Sequence, residues 1–192
     1  MIYLLIASYL IGSISSSVII CKALGLPDPR TQGSKNPGAT NVLRLGGKKT
    51  AAFVLFFDGS KGAVPVFIGV HYGFGLTALT LTALCVFLGH VFPVFFRFKG
   101  GKGVATYLGG LIAINFLAGL IFSVIWLLVA KVLKTSSLAA LIATALSPFY
   151  FYLITGDMAS TLIIGLISLL IFYTHRGNIK RLINKEEDVI QS

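Results

Sequence analysis

Long apolar runs occupy residues 3–24, 51–70, 76–96, 104–130, 138–155 and 159–175, and the stretches between them are short and rich in Gly, Pro, Lys and Arg. About 20 helical residues cross the roughly 30 Å of a bilayer's hydrocarbon, and a lipid-exposed backbone satisfies its own polar groups only as a helix. The pattern therefore predicts membrane-spanning helices. The run at 104–130 is too long for an upright span, at about 40 Å of helix, so it is either one strongly tilted span or two short ones turning near Asn115. Hydropathy alone does not choose between them.

The basic residues do. With seven spans, fifteen of the sixteen Lys and Arg residues fall on one face, whereas six spans would split them nine to six and violate the positive-inside tendency. The expected fold is an all-α integral membrane protein with seven transmembrane helices, its N-terminus outside (periplasmic) and its C-terminus cytoplasmic. The outer connections near Tyr72, Asn115 and Asp157 carry no Lys or Arg. The opening MIYLLIASYLIGSISSSVIICKALGL has no basic leader and no clean cleavage site, so it is expected to stay as the first span. No internal repeat or low-complexity segment divides the chain, and residues 1–192 are expected to form a single polytopic domain. The tail RGNIKRLINKEEDVIQS is expected to continue the last helix and fray at its acidic end.

Composition agrees, with 56% apolar residues, only 11% charged and a mean hydropathy of +0.90. A soluble domain carries about a quarter charged residues. The net charge of +10 would suit nucleic acid or an anionic membrane surface, and the buried spans favour the membrane. Cys21 and Cys85 stand alone in apolar runs, with neither metal-site nor disulfide spacing.

Two glycine-rich basic stretches, GSKNPGATNVLR (33–44) and FKGGKG (98–103), share the basic face with the last helix's exit, THRGNIKRL (174–182). Glycines expose successive N–H groups, and neighbouring cations add full charge, which together hold a phosphate. In FKGGKG the glycines precede a helix start, whose dipole also attracts an anion. No Walker-type G-x-x-x-x-G-K-[ST] occurs, so nucleotide binding is not indicated. His175 and Asn178 share a face of a helical exit and point toward whatever the loops enclose. His71 reads as an interfacial group, and His90 either supports the second loop or contacts ligand. Asp58 and Lys61, three apart inside a span, read as a neutralising pair. Ser136 and Ser137 read as helix caps, with Ser137 also in reach of a ligand. No G-x-S-x-G elbow or H-E-x-x-H motif is present, and His175 is the evident group titrating near neutrality. A transporter of phosphorylated metabolites would also want a cationic site, but beyond Asp58 and Lys61 it lacks mid-membrane ionisable groups. A non-catalytic subunit would need no convergent polar motifs.

GSKNPGATNVLR, GHVFPVFFRFKGGKGVAT and THRGNIKRL closely resemble, in order and spacing, the three cytoplasmic motifs of the bacterial acylphosphate:glycerol-3-phosphate acyltransferase family (PlsY). One difference is Lys35, where a glycine is common in that family. The resemblance implies a seven-helix enzyme of the bacterial inner membrane, with its active site facing the cytoplasm. Such an enzyme acylates the 1-hydroxyl of sn-glycerol 3-phosphate from an acyl phosphate, in the first acylation of phospholipid synthesis. It implies catalytic roles for Lys102, His175, Asn178 and Arg44, and substrate binding by Ser34, Thr40, Asn41, Gly100, Gly101, Gly103 and Ser137. No metal or cofactor is expected, because an acyl phosphate is already activated. The expected partners are the two substrates and membrane lipid, not nucleic acid; the basic face also admits a transient contact with the enzyme that produces the acyl phosphate.

Overall fold

The computed structural model describes residues 1–190, and everything regular in them is helical. The first apolar run forms α1 (Ile2–Gly12) and α2 (Ser16–Ala23), bent by 41° at Ser13–Ser15. Ser8 and Ser13 donate their hydroxyls back to the carbonyls of Leu4 and Tyr9, the type of bond that bends helices. After the first glycine-rich loop comes α3 (Ala39–His71), kinked at Gly47, where φ is +77°. The second half of GSKNPGATNVLR is thus helical rather than loop. Next come α4 (Leu76–Val91), α5 (Val104–Ile114), α6 (Phe116–Leu133), α7 (Ser136–Thr155), α8 (Met158–Thr174) and α9 (Arg176–Ile183).

The overlong run does break at Asn115, whose backbone is extended and whose side-chain oxygen accepts from the Ala118 N–H at 3.0 Å, capping α6. By length and hydropathy four helices suffice to cross a membrane among the described residues, or six when the bent pairs α1–α2 and α8–α9 each count as one span. The protein is therefore an all-helical, multi-pass integral membrane protein. The expected seventh span falls on α5, whose 11 residues rise only about 16 Å. Its partner α6, with 18 residues, rises about 27 Å. The start of α5 is therefore level with Trp126 of α6, well short of that helix's far end.

Large apolar side chains such as Phe53, Phe56, Leu128 and Leu169 face outward, as a lipid-facing surface requires. Inside, Phe87, Tyr107, Leu111, Phe122, Phe151, Ile164, Ile167 and Ile171 form the main core. Two helix crossings dispense with side chains. A Cβ on Gly62 would overlap the Thr106 carbonyl, and one on Gly109 would overlap that of Gly59, which locks α3 onto α5. Gly12 and Gly89 do the same for α1 and α4 against the carbonyls of Val86 and Tyr9. Close backbone approach through small residues is the usual cohesion of helices in lipid.

The tail departs from expectation. At His175 the chain bends by 60° into α9, and beyond it the chain turns back, with the Ile190 N–H donating to the Lys134 carbonyl. The acidic segment packs against the bundle instead of fraying. Residues 191–192 lie outside the described residues.

Candidate active site

The three motifs converge on one cavity of about 370 Å³. Ser34, Thr40, Asn41, Arg44, Lys102, Gly103, Ser137, His175 and Asn178 all border it. Gly100 and Gly101 do not; they pack behind the wall against His90, whose carbonyl takes the Gly101 N–H at 3.2 Å.

The first motif wraps round Asn41, which is buried at the start of α3. Its Oδ1 accepts from the Ser34 N–H at 3.0 Å, and its Nδ2 donates to the carbonyls of Pro29 and Gln32 at 2.8 and 3.0 Å. Asn41 thus uses its amide to fold the loop while bordering the cavity. Lys35 has φ +57°, the left-handed region in which a Cβ costs about 1 kcal/mol. That is the physical reason a glycine would sit well there.

Lys102 stands at the foot of α5, its Nζ donating to Asn178 Oδ1 at 2.5 Å. Gly103, at φ +86°, turns the chain into α5, and Gly103, Val104 and Ala105 border the cavity. The N–H groups of a helix's first turn have no partner within the helix. The start of α5 therefore offers unpaired donors and the positive dipole end beside an ammonium, a suitable seat for a phosphate. Burial pushes the Lys102 ammonium down to about 8, with Glu187 opposing and Arg181 and Arg44 adding to the fall.

His175 follows α8 directly, and its Nδ1 lies 2.8 Å from the Ile171 carbonyl. A carbonyl only accepts, so Nδ1 carries the proton and Nε2 keeps its lone pair. Burial and then the Lys102 charge push the imidazole down to about 4, so it is neutral at physiological pH.

Sequence reasoning missed the tail's carboxylates. Glu187 Oε1 accepts from Asn178 Nδ2 at 2.5 Å and from the Ser137 hydroxyl at 2.7 Å, and Oε2 accepts from Arg181 Nε at 2.6 Å. Asp188 pairs with Arg44 at 2.9 Å. Against burial, these bonds hold the Glu187 carboxyl below its ordinary range. Ser137 is thus a polar contact of the cavity and not a helix cap; Thr135 occupies the N-cap of α7. A signal was present: half of the six acidic residues stand together at 186–188, on the basic side of a basic chain.

The far side of the cavity is apolar. Leu108 of α5 and Phe122, Trp126 and Leu127 of α6 continue it toward Leu55 of α3, and Leu55 and Leu127 open to the protein's exterior. Fold and site together define an integral membrane protein whose cavity is lined by charged and polar groups at one end and by apolar side chains at the other.

Residues 2–185 match the family model described as Glycerol-3-phosphate acyltransferase. A glycerol-3-phosphate acyltransferase from Ruthia magnifica subsp. Calyptogena magnifica is 61% identical over 189 residues, covering 98% of this chain and 96% of the relative. One from Hydrogenovibrio crunogenus is 49% identical over 185 residues, covering 96% and 88%. Among solved structures, PlsY (YgiH), an integral membrane glycerol 3-phosphate acyltransferase in its glycerol 3-phosphate form, superposes with a TM-score of 0.94 at 39% identity, covering 99% of this chain and 95% of that one. Its lysophosphatidic acid form gives 0.90 at 38% identity, covering 98% and 94%. The chain belongs to the glycerol-3-phosphate acyltransferase family, in its PlsY branch, and is an enzyme of that activity.

Proposed function

We propose that the enzyme transfers an acyl group from an acyl phosphate to the 1-hydroxyl of sn-glycerol 3-phosphate, releasing 1-acyl-glycerol 3-phosphate (lysophosphatidic acid) and phosphate. The observation that carries this reading is the Lys102–Asn178 contact beside the first turn of α5, which joins the second and third motifs where an anion seat meets an apolar slot. That the related PlsY structures are a glycerol 3-phosphate form and a lysophosphatidic acid form supports the acceptor and product.

In this reading Lys102 and the free N–H groups at Gly103–Ala105 hold the donor's phosphate. Arg44, Ser34 and Thr40 face it from the first motif, and Leu108, Phe122 and Trp126 take the acyl chain. Glycerol 3-phosphate lies against Ser137, Asn178 and His175, displacing Glu187 from donors it now occupies. The hydroxyl oxygen bonds to the acyl carbon, the carbon–oxygen bond to phosphate breaks, and the phosphate leaves carrying the negative charge that Lys102 and the helix start stabilise. The hydroxyl proton has two available acceptors, His175 Nε2 and the leaving phosphate. A base held near 4 is poorly matched to the task, whereas a phosphate dianion, with its second pKa near 6, is well matched. The phosphate is therefore the acceptor, and His175 orients the hydroxyl.

The same reading makes the chain one domain of seven passes in a bacterial inner membrane, with α5 and the turn before it as a short pass and the active site facing the cytoplasm. The test is acylation of glycerol 3-phosphate by the purified protein in lipid, with acyl phosphate, acyl-CoA and acyl-carrier protein as competing donors. Turnover with acyl phosphate alone is expected, and preference for either thioester would overturn the donor assignment. Uptake of glycerol 3-phosphate into sealed vesicles without acylation would overturn the whole reading.

A further inference from the structure

The residues just before the first motif make contacts that the chemistry above leaves unused. Arg30 Nε donates to Asp28 Oδ1 at 3.0 Å and Nη2 to Oδ2 at 2.6 Å, a two-pronged pair. Asp28 Oδ1 also takes the Arg30 N–H at 2.9 Å, and the Asp28 carbonyl takes the Thr31 N–H and hydroxyl, each at 3.0 Å. Residues 28–31 are thus one closed turn, with Pro29 held inside it. The Arg30 guanidinium lies over the ring of Phe96, 5.7 Å from its centroid, within the range at which a ring face attracts a cation.

Phe96 ends a short 3₁₀ turn, Val94–Phe96, that is fastened to the first span. The Val94 N–H donates to Ser13 Oγ at 3.3 Å, and the Phe92 carbonyl takes the Tyr9 hydroxyl at 2.8 Å. The ring is therefore a fixed post on the bundle, whereas residues 24–38 contain no helix of their own. On its other side the 28–31 turn offers the Pro29 carbonyl to Asn41 Nδ2 at 2.8 Å, and Asn41 Oδ1 takes the Ser34 N–H at 3.0 Å. Ser34 and Asn41 border the cavity, while Asp28, Arg30 and Phe96 do not. A chain of contacts therefore runs from the bundle to the cavity through Phe96, Arg30, Pro29, Asn41 and Ser34. With side chains 31% and 34% exposed, the Arg30–Asp28 pair adds little to stability. Its use is in placement, because a site carried on a loop is only as precise as the contacts behind it.

We propose that Arg30, held by Asp28 and seated on Phe96, is a positioning residue for the first motif. It fixes the turn that orients Asn41 and, through Asn41, the place of Ser34 at the cavity. The inference rests on the reading of the cavity as the active site, whichever substrate the first motif faces.

The experiment uses the full chain in lipid and reads kcat/KM for acylation of glycerol 3-phosphate by a long-chain acyl phosphate, amide hydrogen exchange over residues 31–38, and the melting temperature. The variants are Arg30→Ala, Asp28→Asn, Phe96→Leu, Phe96→Tyr and the pair Arg30→Ala/Phe96→Leu. Arg30→Ala is expected to lower kcat/KM about tenfold and to speed exchange over 31–38 by a like factor, a 1.4 kcal/mol loss. The melting temperature and exchange in α4–α8 should stay as in the parent. Asp28→Asn and Phe96→Leu should show the same loss in smaller measure, and Phe96→Tyr, which keeps the ring face, should match the parent. Since Arg30 and Phe96 act through one contact, Arg30→Ala should cost less in the Phe96→Leu background than alone. Parent-like exchange in Arg30→Ala, strict additivity in the pair, Phe96→Tyr as damaging as Phe96→Leu, or a loss seen only in the melting temperature would overturn the proposal. Exchange separates the two levels: if the parent fails to acylate glycerol 3-phosphate the functional reading falls, and exchange over 31–38 still decides whether Arg30 places the loop. Should Arg30→Ala fail to fold, Phe96→Leu against Phe96→Tyr decides, and equal exchange in the two refutes the positioning role.

Discussion

Lys102 and Asn178, 76 residues apart in sequence, meet through a hydrogen bond from Nζ to Oδ1. Neither is placed by its own element alone. Lys102 depends on the turn before α5, and Asn178 on the bend at His175 that swings α9 back over the bundle. Replacing Lys102 by Ala removes the single full charge at the foot of α5 and leaves the fold's apolar packing intact. We expect kcat/KM to fall by about a hundredfold or more, the range for losing one donor to a developing oxyanion. Steady-state assay in lipid checks this, and near-normal turnover would contradict the role of Lys102.

The pH dependence follows from the same lysine. Burial brings its ammonium down to about 8, so it is charged at pH 7 and loses its proton as pH rises through 8. Activity on kcat/KM should therefore fall on the alkaline side near pH 8, where both substrates are fully ionised and contribute no titration of their own. Glu187 is the neighbour that raises this value, so Glu187→Gln should move the limb to lower pH. A limb above pH 10, or one that ignores Glu187→Gln, would count against it.

His175 gives a second kinetic test. Neutral down to about pH 4, it contributes no titration between pH 5.5 and 7. His175→Ala should lower kcat by about a hundredfold, the loss that follows from misplacing a reacting group by about 1 Å, while its profile stays parallel to the parent's over that interval. Complete loss of turnover would make His175 the proton acceptor in place of the phosphate.

Two ion pairs differ in burial and should differ in worth. Asp58 and Lys61 are 4% and 9% exposed, and Asp58→Ala would leave a buried ammonium without its partner, at a cost of about 3–5 kcal/mol. Asp188 and Arg44 are 62% and 40% exposed, and Asp188→Ala should cost less than about 1 kcal/mol. Thermal melts in one detergent rank the two. Equal losses would show that the Asp58 cluster is wetter than its burial implies.

The topology is testable at Asn115. A reporter fused after this residue should read outside, with one fused after Lys134 reading cytoplasmic. The opposite result at Asn115 would remove α5 as a pass of its own.

Spans and motifs were legible in the sequence because lipid leaves few choices: charge placement predicted the break at Asn115, and three motifs on one basic face predicted a single pocket. What stayed hidden depended on packing. That α5 has 11 residues against the 18 of α6 follows from where Gly103 can turn, which hydropathy does not register. The resemblance implies substrate binding by Asn41, and nothing in the sequence registers that its amide also ties the loop together through Pro29, Gln32 and Ser34. The acidic tail reads as a solvated end until α9 bends, and only then does Glu187 reach Ser137 and Asn178. Gly100 and Gly101 suggest phosphate by composition, and only the position of His90 shows what they lie against.

The unequal lengths of α5 and α6 have a chemical consequence. A mixed anhydride of a fatty acid and phosphate is perishable, and hydrolysis competes with every productive encounter. In the proposed reaction its seat lies beside Trp126, so that the activated head would meet the hydroxyl in a cavity whose far side is apolar, away from bulk solvent. On that reading the short helix acts as a splash guard, giving glycerol 3-phosphate, and not water, first claim on the acyl group.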